Sequence, residues 1–329
     1  MNIAIIGFGW WGRHMVKRLN GNRNFSVRLI VEPALEKHSD IKQEDLHVVA
    51  DLDAALDDDT IDAIVLTTPN MFHEAQVCAA AAAGKHVLCE KPLGLTAASA
   101  RRSVAACEKA GVVLGIGHER RFEPAIKRIY TMVNEGTLGT IMHAEAAFSH
   151  NKLIHVPAGD WRTTKATAPG AGITAMGIHL TDLYISMFGR VKTVQAITAK
   201  RALDWETGDV ATVQLGFERG MTATLSAILH TPDFIRYHVF GTERWAEVRN
   251  NTHPDTPGGI AELVVQKTGD EPEIERYDWT DTVVANLDAF SAAIAGKAPY
   301  PIPTDQMIHN IEILEAVAQS AETRETIHL

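Results

Sequence analysis

Gly7, Gly9 and Gly12 stand in G-x-G-x-x-G spacing directly after the apolar run Asn2–Ile6 and at the mouth of a helical pattern. Gly7 permits a tight turn, Gly9 lets backbone approach a pyrophosphate, and Gly12 lets helix and strand pack closely. The phosphates would then meet the N–H groups and positive dipole end of that helix. Phe8, Trp10 and Trp11 complete the loop, and the two tryptophans are expected either to cover the pyrophosphate or to fill a domain interface. Twenty positions past Gly12 (32 − 12), Glu32 ends the second apolar run, where a carboxylate can accept both ribose hydroxyls of an adenosine. The expected cofactor is therefore NAD. Lys37, the one nearby cation, leaves NADP open.

Holding such a loop requires a parallel sheet wrapped by helices. The first 118 residues supply the alternation, with strands predicted at Asn2–Ile6, Ser26–Val31, His47–Val49, Ala63–Leu66, His86–Cys89 and Val112–Ile116. Helices are predicted near Trp11–Asn20, Leu52–Leu56, Phe72–Ala83 and Ala97–Ala110. Beyond residue 120 the pattern changes to strands at Thr140–Phe148, Val191–Ala199, Val210–Phe217, Met221–Ile228, Arg236–Phe240, Ala246–Arg249 and Leu263–Lys267. An antiparallel sheet is the economical reading. Asn250–Gly259, rich in Asn, Pro, Asp and Gly, reads as a surface loop, and helices close the chain at Thr282–Ala295 and about 304–321. The expected fold class is α/β: a doubly wound Rossmann domain over 1–118, then an α/β domain with an open, mostly antiparallel sheet over 119–329.

A length of 329 residues suits two cores, and 46% hydrophobic with 22% charged residues describes a globular chain with no membrane span. A net charge of −10 argues against nucleic acid or an anionic membrane as partner. The start MNIAIIGFGWWGRH lacks the basic region of a signal peptide, so the cytoplasm is the expected compartment. The three cysteines and fifteen histidines show no metal-type spacing, and no metal is expected.

Further along, Cys89-Glu90-Lys91-Pro92 follows the fifth predicted strand. With GFGWWG at 7–12, TTPNMFH at 67–73, Trp161-Arg162, and PGAGITAMGIHLTD at 169–182, the chain resembles the glucose-fructose oxidoreductase, inositol dehydrogenase and MocA (Gfo/Idh/MocA) family over nearly its whole length. The resemblance implies a nicotinamide-dependent dehydrogenase or reductase acting on a hydroxyl or carbonyl carbon of a small polar molecule such as a sugar, sugar acid or cyclic polyol. It also implies homodimers or homotetramers assembled through the second sheet. By the same resemblance Thr67, Thr68, Asn70 and His73 line the cofactor, Glu90 and Lys91 approach the nicotinamide ribose, and Trp161 and Arg162 lie near the nicotinamide. Lys91 and His179 would be the catalytic pair.

Chemistry supports those two roles, because moving a hydride at a carbinol carbon requires a proton to leave or join the oxygen. Histidine titrates near neutrality, and a lysine can stay protonated to stabilise a developing alkoxide. Proton transfer is therefore assigned to His179 and oxyanion stabilisation to Lys91, although the opposite division is open. The chain departs from the family at Ala175, where relatives commonly carry an aspartate four residues before the histidine. Asp182, three residues past His179, could orient the imidazole. Ala175 keeps open a dinucleotide-binding regulator whose catalytic groups have lapsed, and dihydrodiol or imine chemistry is a further alternative. His150, Lys152, His155, Arg162 and Lys165 against the single acid Asp160 would suit a carboxylated substrate if they border the pocket, or else form a solvated basic loop.

Overall fold

The computed structural model of the protein describes residues 1–34 and 47–329, which form two compact units. The first comprises Met1–His118 and Val283–Ile308. Its strands are β1 (Asn2–Ile6), β2 (Ser26–Val31), β3 (Val48–Val49), β4 (Ala63–Leu66), β5 (His86–Cys89) and β6 (Leu114–Ile116). They pair in the order β3-β2-β1-β4-β5-β6, every pair parallel. That order reverses direction between β1 and β4, the switch point at which doubly wound sheets bind ligands. Ile3–Ile6 and Ala63–Leu66 are buried without exception, which is why these central strands read as continuous apolar runs. The connecting helices are α1 (Trp10–Leu19), α2 (Asp53–Leu56), α3 (His73–Ala82) and α4 (Ala97–Ala110). The sixth strand starts at Leu114 and not at Val112, because the Val112 N–H is spent on the Cys107 carbonyl in closing α4.

The first unit also takes residues from far along the chain, which the expectation of one continuous second domain over 119–329 did not foresee. Val283, Leu287 and Phe290 of α7 (Thr282–Ile294) sit in one core with Ile3, Ile5, Val65 and Leu88. Polar contacts pin the same segment: Asn286 Nδ2 donates to the Ile116 carbonyl at 2.8 Å, and the Tyr300 hydroxyl meets Asn286 Oδ1 at 2.6 Å. Apolar spacing identifies α7 as a helix, but nothing in it says which core it joins.

The second unit comprises Glu119–Thr282 and His309–Leu329. Its strands are β7 (Ile141–Ser149), β8 (Val191–Ala199), β9 (Val210–Phe217), β10 (Thr222–Ile228), β11 (Phe234–Gly241), β12 (Arg244–Asn250), β13 (Ile260–Lys267), β14 (Glu273–Asp278) and β15 (Ile327–His328). They form one open sheet in the order β14-β13-β12-β11-β7-β10-β9-β8-β15, antiparallel except for the parallel pair β7 and β10. The polar edge strand β14 is mostly exposed and carried no apolar alternation to find. One helix went unread, α5 (Pro124–Asn134), while α6 (Ile178–Phe188) carries the helical relation of His179 and Asp182. Ten of the eleven α6 residues are buried, so it shows no apolar stripe of helical period. Tyr184 of α6 packs on Tyr237 and Phe217 of the sheet and donates its hydroxyl to the Thr224 carbonyl at 2.7 Å. The last helix is α8 (Thr304–Thr323). Among the described residues no helix is long and apolar enough to cross a membrane.

Phe290→Ala should destabilise the first unit by about 3–5 kcal/mol, the usual cost of deleting a fully buried aromatic ring. Hydrogen exchange should then rise in β1, β4 and β5. Unchanged protection there would detach α7 from that core.

Candidate active site

At the end of β1 the chain turns at Gly7, whose φ of +94° favours glycine. A Cβ on Gly12 would run into the Gly7 carbonyl oxygen and lie 2.9 Å from Thr67 Oγ1, so α1 reaches the strand only because residue 12 has no side chain. Gly9 is different. Among the described residues, nothing beyond its chain neighbours lies within 4 Å of where its Cβ would be, so they place no demand on a glycine there. The space is what a bound pyrophosphate needs. Gly9 caps α1 without a side-chain bond, and the first turn holds no acidic residue, so that helix end is suited to phosphate. Glu32 follows β2, accepting the Phe8 N–H at 2.8 Å and the Ala34 N–H at 3.0 Å. Its carboxylate thus ties the glycine loop to β2. The Phe8 ring is buried against Ile30, with the Arg13 guanidinium 4.7 Å from its centroid, so Phe8 meets the loop through its backbone. Lys37 lies outside the described residues.

Across the switch point, the loops after β4 and β5 carry the remaining expected cofactor residues. Thr67 spends its hydroxyl on the Ile6 and Gly7 carbonyls, at 3.0 and 2.7 Å, and the Thr68 hydroxyl donates to Gln76 Oε1 at 2.5 Å. Asn70 is buried in the short turn before α3. The His73 ring is fully buried, with Nδ1 2.7 Å from the Pro92 carbonyl and Nε2 2.9 Å from the Thr68 carbonyl. It braces the two loops through their backbones. Burial lowers its pKa. Trp10 is exposed, whereas Trp11 donates its indole N–H to Glu90 Oε1 at 2.5 Å and stacks on His14. Trp11 therefore fixes Glu90, a role neither sequence reading gave it. Gly117 leaves the room for this carboxylate, since a Cβ there would collide with it. Lys91 follows, its N–H donating to Glu90 Oε2 at 3.3 Å and its bond to Pro92 cis.

The other expected residues stand on the second unit. His179 is the second residue of α6, directly after a π-helical turn over Ile173–Gly177 that carries the half-buried Ala175. Gly172 seats that turn against β10, where a Cβ would lie 2.9 Å from Ala227 Cβ. Asp182 is bound by Arg121, with Nε to Oδ2 at 2.7 Å and Nη2 to Oδ1 at 2.6 Å. Arg162 pairs with Asp160 at 3.2 Å and lies over the Trp161 ring at 4.2 Å. Lys165 pairs with Glu322 at 3.3 Å.

Around His179 the structure gathers residues that no sequence spacing connects. The Phe148 ring, at the end of β7, has His150, His179 and His253 around it, with centroids at 5.8, 6.0 and 5.4 Å. His253 comes from the stretch read as a surface loop, yet it is 5% exposed. Arg120 holds that loop inward by bonding Asp255, while also reaching Glu119 and Glu123 at 3.1 Å each. Burial alone would raise the Asp255 pKa, but Arg120 and then His253 hold it down to about 2. Burial is likewise the main cause that lowers His253 to about 3, opposed by Asp255. Among the described residues no group of three or more His, Cys, Asp or Glu side chains is arranged to hold a metal.

Comparison with known proteins fits this geometry. The family model of the Gfo/Idh/MocA oxidoreductases with an NAD-binding Rossmann fold matches residues 1–118, and the model of that family's C-terminal domain matches 126–247. The chain belongs to the Gfo/Idh/MocA oxidoreductase family. Among Gfo/Idh/MocA-type relatives, it is 26% identical to scyllo-inositol 2-dehydrogenase (NADP(+)) of Bacillus subtilis, over 87% of this chain and 84% of that one. It is 29% identical to D-xylose 1-dehydrogenase (NADP(+)) 2 of Haloferax volcanii, covering 84% and 83%. The aldose-aldose oxidoreductase of Caulobacter crescentus superposes with a TM-score of 0.87 at 25% identity, over 100% of this chain and 99% of that one.

The buried histidines give the fold a definite pH dependence. His253 is neutral when folded but takes a proton near 6.5 when unfolded, so its contribution to stability is complete above pH 6.5 and is lost as pH falls toward 3. The loss approaches about 1.4 kcal/mol per pH unit. Melting temperature should fall less steeply between pH 6.5 and 4 in His253→Gln than in the native protein. Equal slopes would mean that His253 is not held neutral.

Proposed function

We propose that this protein is a cytoplasmic NAD-dependent dehydrogenase or reductase that works on a hydroxyl or carbonyl carbon of a sugar or polyol. The open space over Gly9, at the switch point and beside the uncapped start of α1, is the observation that carries the reading. Nicotinamide, when bound, gives or takes the hydride. The chain's own task is then to place the substrate and move one proton. In this proposal His179 exchanges the hydroxyl proton through its imidazole, and Lys91 donates a hydrogen bond to the oxygen as negative charge grows on it. Trp11 and Gly117 serve by fixing Glu90 beside Lys91, and His73 by bracing the backbone that carries both. Trp161 and Arg162 are assigned to the nicotinamide side. Ile197 and Ile274, more than half exposed on strands of the nine-stranded sheet, favour a homodimer or homotetramer built on that sheet.

A second reading, a dinucleotide-binding regulator, draws on Ala175, which puts no carboxylate in the turn before His179. A screen of sugars, sugar acids, inositols and aromatic diols with NAD and NADP separates the two, since a regulator turns over none of them.

Glu32 should make NAD the better cofactor by about tenfold or more in kcat/KM, because the extra phosphate of NADP would meet a carboxylate. Glu32→Ala should narrow that ratio, and an NADP preference in the native enzyme would overturn the assignment. Lys91→Ala should lower kcat by about 100-fold or more while NADH still binds within a few-fold, as followed by fluorescence titration. Near-native kcat would remove Lys91 from the chemistry.

A further inference from the structure

The second unit holds a constellation that the catalytic pair does not use. His150 and His253 lie 5.2 Å apart, ring to ring at 64°, and both flank the same Phe148 ring as His179. All three imidazoles are at most 5% exposed. Buried histidines at this density need a chemical reason, since each ring nitrogen must donate or accept.

Backbone amides fix which nitrogen does which. His150 Nδ1 accepts the Lys152 N–H at 3.2 Å, and His253 Nδ1 accepts the Asp255 N–H at 3.2 Å. A ring whose Nδ1 accepts carries its proton on Nε2, so the His253 imidazole offers one N–H donor there. The charged and titratable groups acting on His253 are Asp255, Lys152, Arg120 and His150, and burial outweighs them all in keeping the ring neutral. His253 is therefore no acid or base at neutral pH. It is a fixed donor, held in place because Arg120 anchors Asp255 two residues on.

Three cations of this region are engaged by carboxylates, while Lys152 acts on His253 itself. Arg162 is paired with Asp160, Lys165 with Glu322, and Arg120 faces three carboxylates. Of the rings that flank Phe148 beside His179, His253 is neutral and hydrogen-bonding. A neutral ring N–H can donate to a hydroxyl or ring oxygen of a sugar or polyol.

We propose that His253 is a specificity-determining residue that donates from Nε2 to a non-reacting hydroxyl or ring oxygen of a neutral sugar or polyol placed at His179. The inference rests on the dehydrogenase reading above. It gives the Asn250–Gly259 loop the task of choosing among sugars and polyols by the placing of their oxygens.

The test takes the best neutral sugar or polyol from the screen, together with its singly deoxygenated analogues. His253→Ala should raise its KM about 10- to 100-fold, with the effect in KM and not in kcat, and KM for NAD within about twofold. Calorimetric Kd for the same sugar on the NADH-bound enzyme should rise in parallel. His253→Gln, whose amide can still donate, should recover much of the loss. The ratio of mutant to native KM should be constant from pH 6.5 to 9, and should collapse toward one for the single analogue lacking the contacted oxygen. An unchanged sugar KM in a folded His253→Ala would overturn the inference, as would an equal penalty on every analogue or a matching rise in KM for NAD. If the native enzyme turns over sugar acids but no neutral sugar or polyol, the substrate assignment fails while the dehydrogenase reading stands. If it turns over nothing, the dehydrogenase reading itself fails.

Discussion

The close approach of α1 to the turn after β1 is the constraint from which the rest of the first unit follows. Gly12 must lie against the Gly7 carbonyl, and the Thr67 hydroxyl must bond that same carbonyl. Any side chain at residue 12 would push α1 away and take the phosphate-facing end of the helix out of place. Glu32 adds a second tie through the Phe8 N–H. A loop rich in glycine is thereby made rigid by its neighbours, which is what a binding site needs if ordering is not to be charged against affinity.

Charge organises the second unit in a comparable way. Arg121 grips Asp182, and Arg120 grips Asp255 together with Glu119 and Glu123, all of them largely buried. Buried ion pairs add little net stability, since desolvation offsets most of their attraction. Their effect is positional. Adjacent arginines fix α6, which bears His179, and the loop that bears His253. Removing one carboxylate would leave buried charge uncompensated, so these contacts resist piecemeal change.

Legibility in the sequence followed distance along the chain. Gly7, Gly9, Gly12 and Glu32 were readable because one strand–turn–helix and the next strand contain them all, and the parallel sheet was readable from short apolar runs. Trp11 was ambiguous because its partner, Glu90, is 79 residues away and joined by a single hydrogen bond. His73 looked like a residue facing the cofactor. Only the carbonyls on both sides of its ring show that it acts through backbone. His253 was invisible, since a loop of Asn, Pro, Asp and Gly ordinarily faces water, and the arginine that draws this one inward sits 135 residues earlier. Local chemistry marks where a cofactor binds. The cluster around His179 is assembled from contacts that composition and period do not encode.

The placement of Val283–Ile308 in the first unit has a consequence for biosynthesis. The nucleotide-binding strands leave the ribosome early, but Leu287 and Phe290, which complete their core, follow about 170 residues after His118. At roughly 5–20 residues per second this is an interval of about 10–35 seconds in which Ile3, Ile5, Val65 and Leu88 lack their final cover. The nascent chain must carry that apolar surface while eight of the nine strands of the second sheet are being made. Contacts of such sequence separation also slow folding, so this architecture leaves apolar surface uncovered for longer than a Rossmann domain that closes on itself.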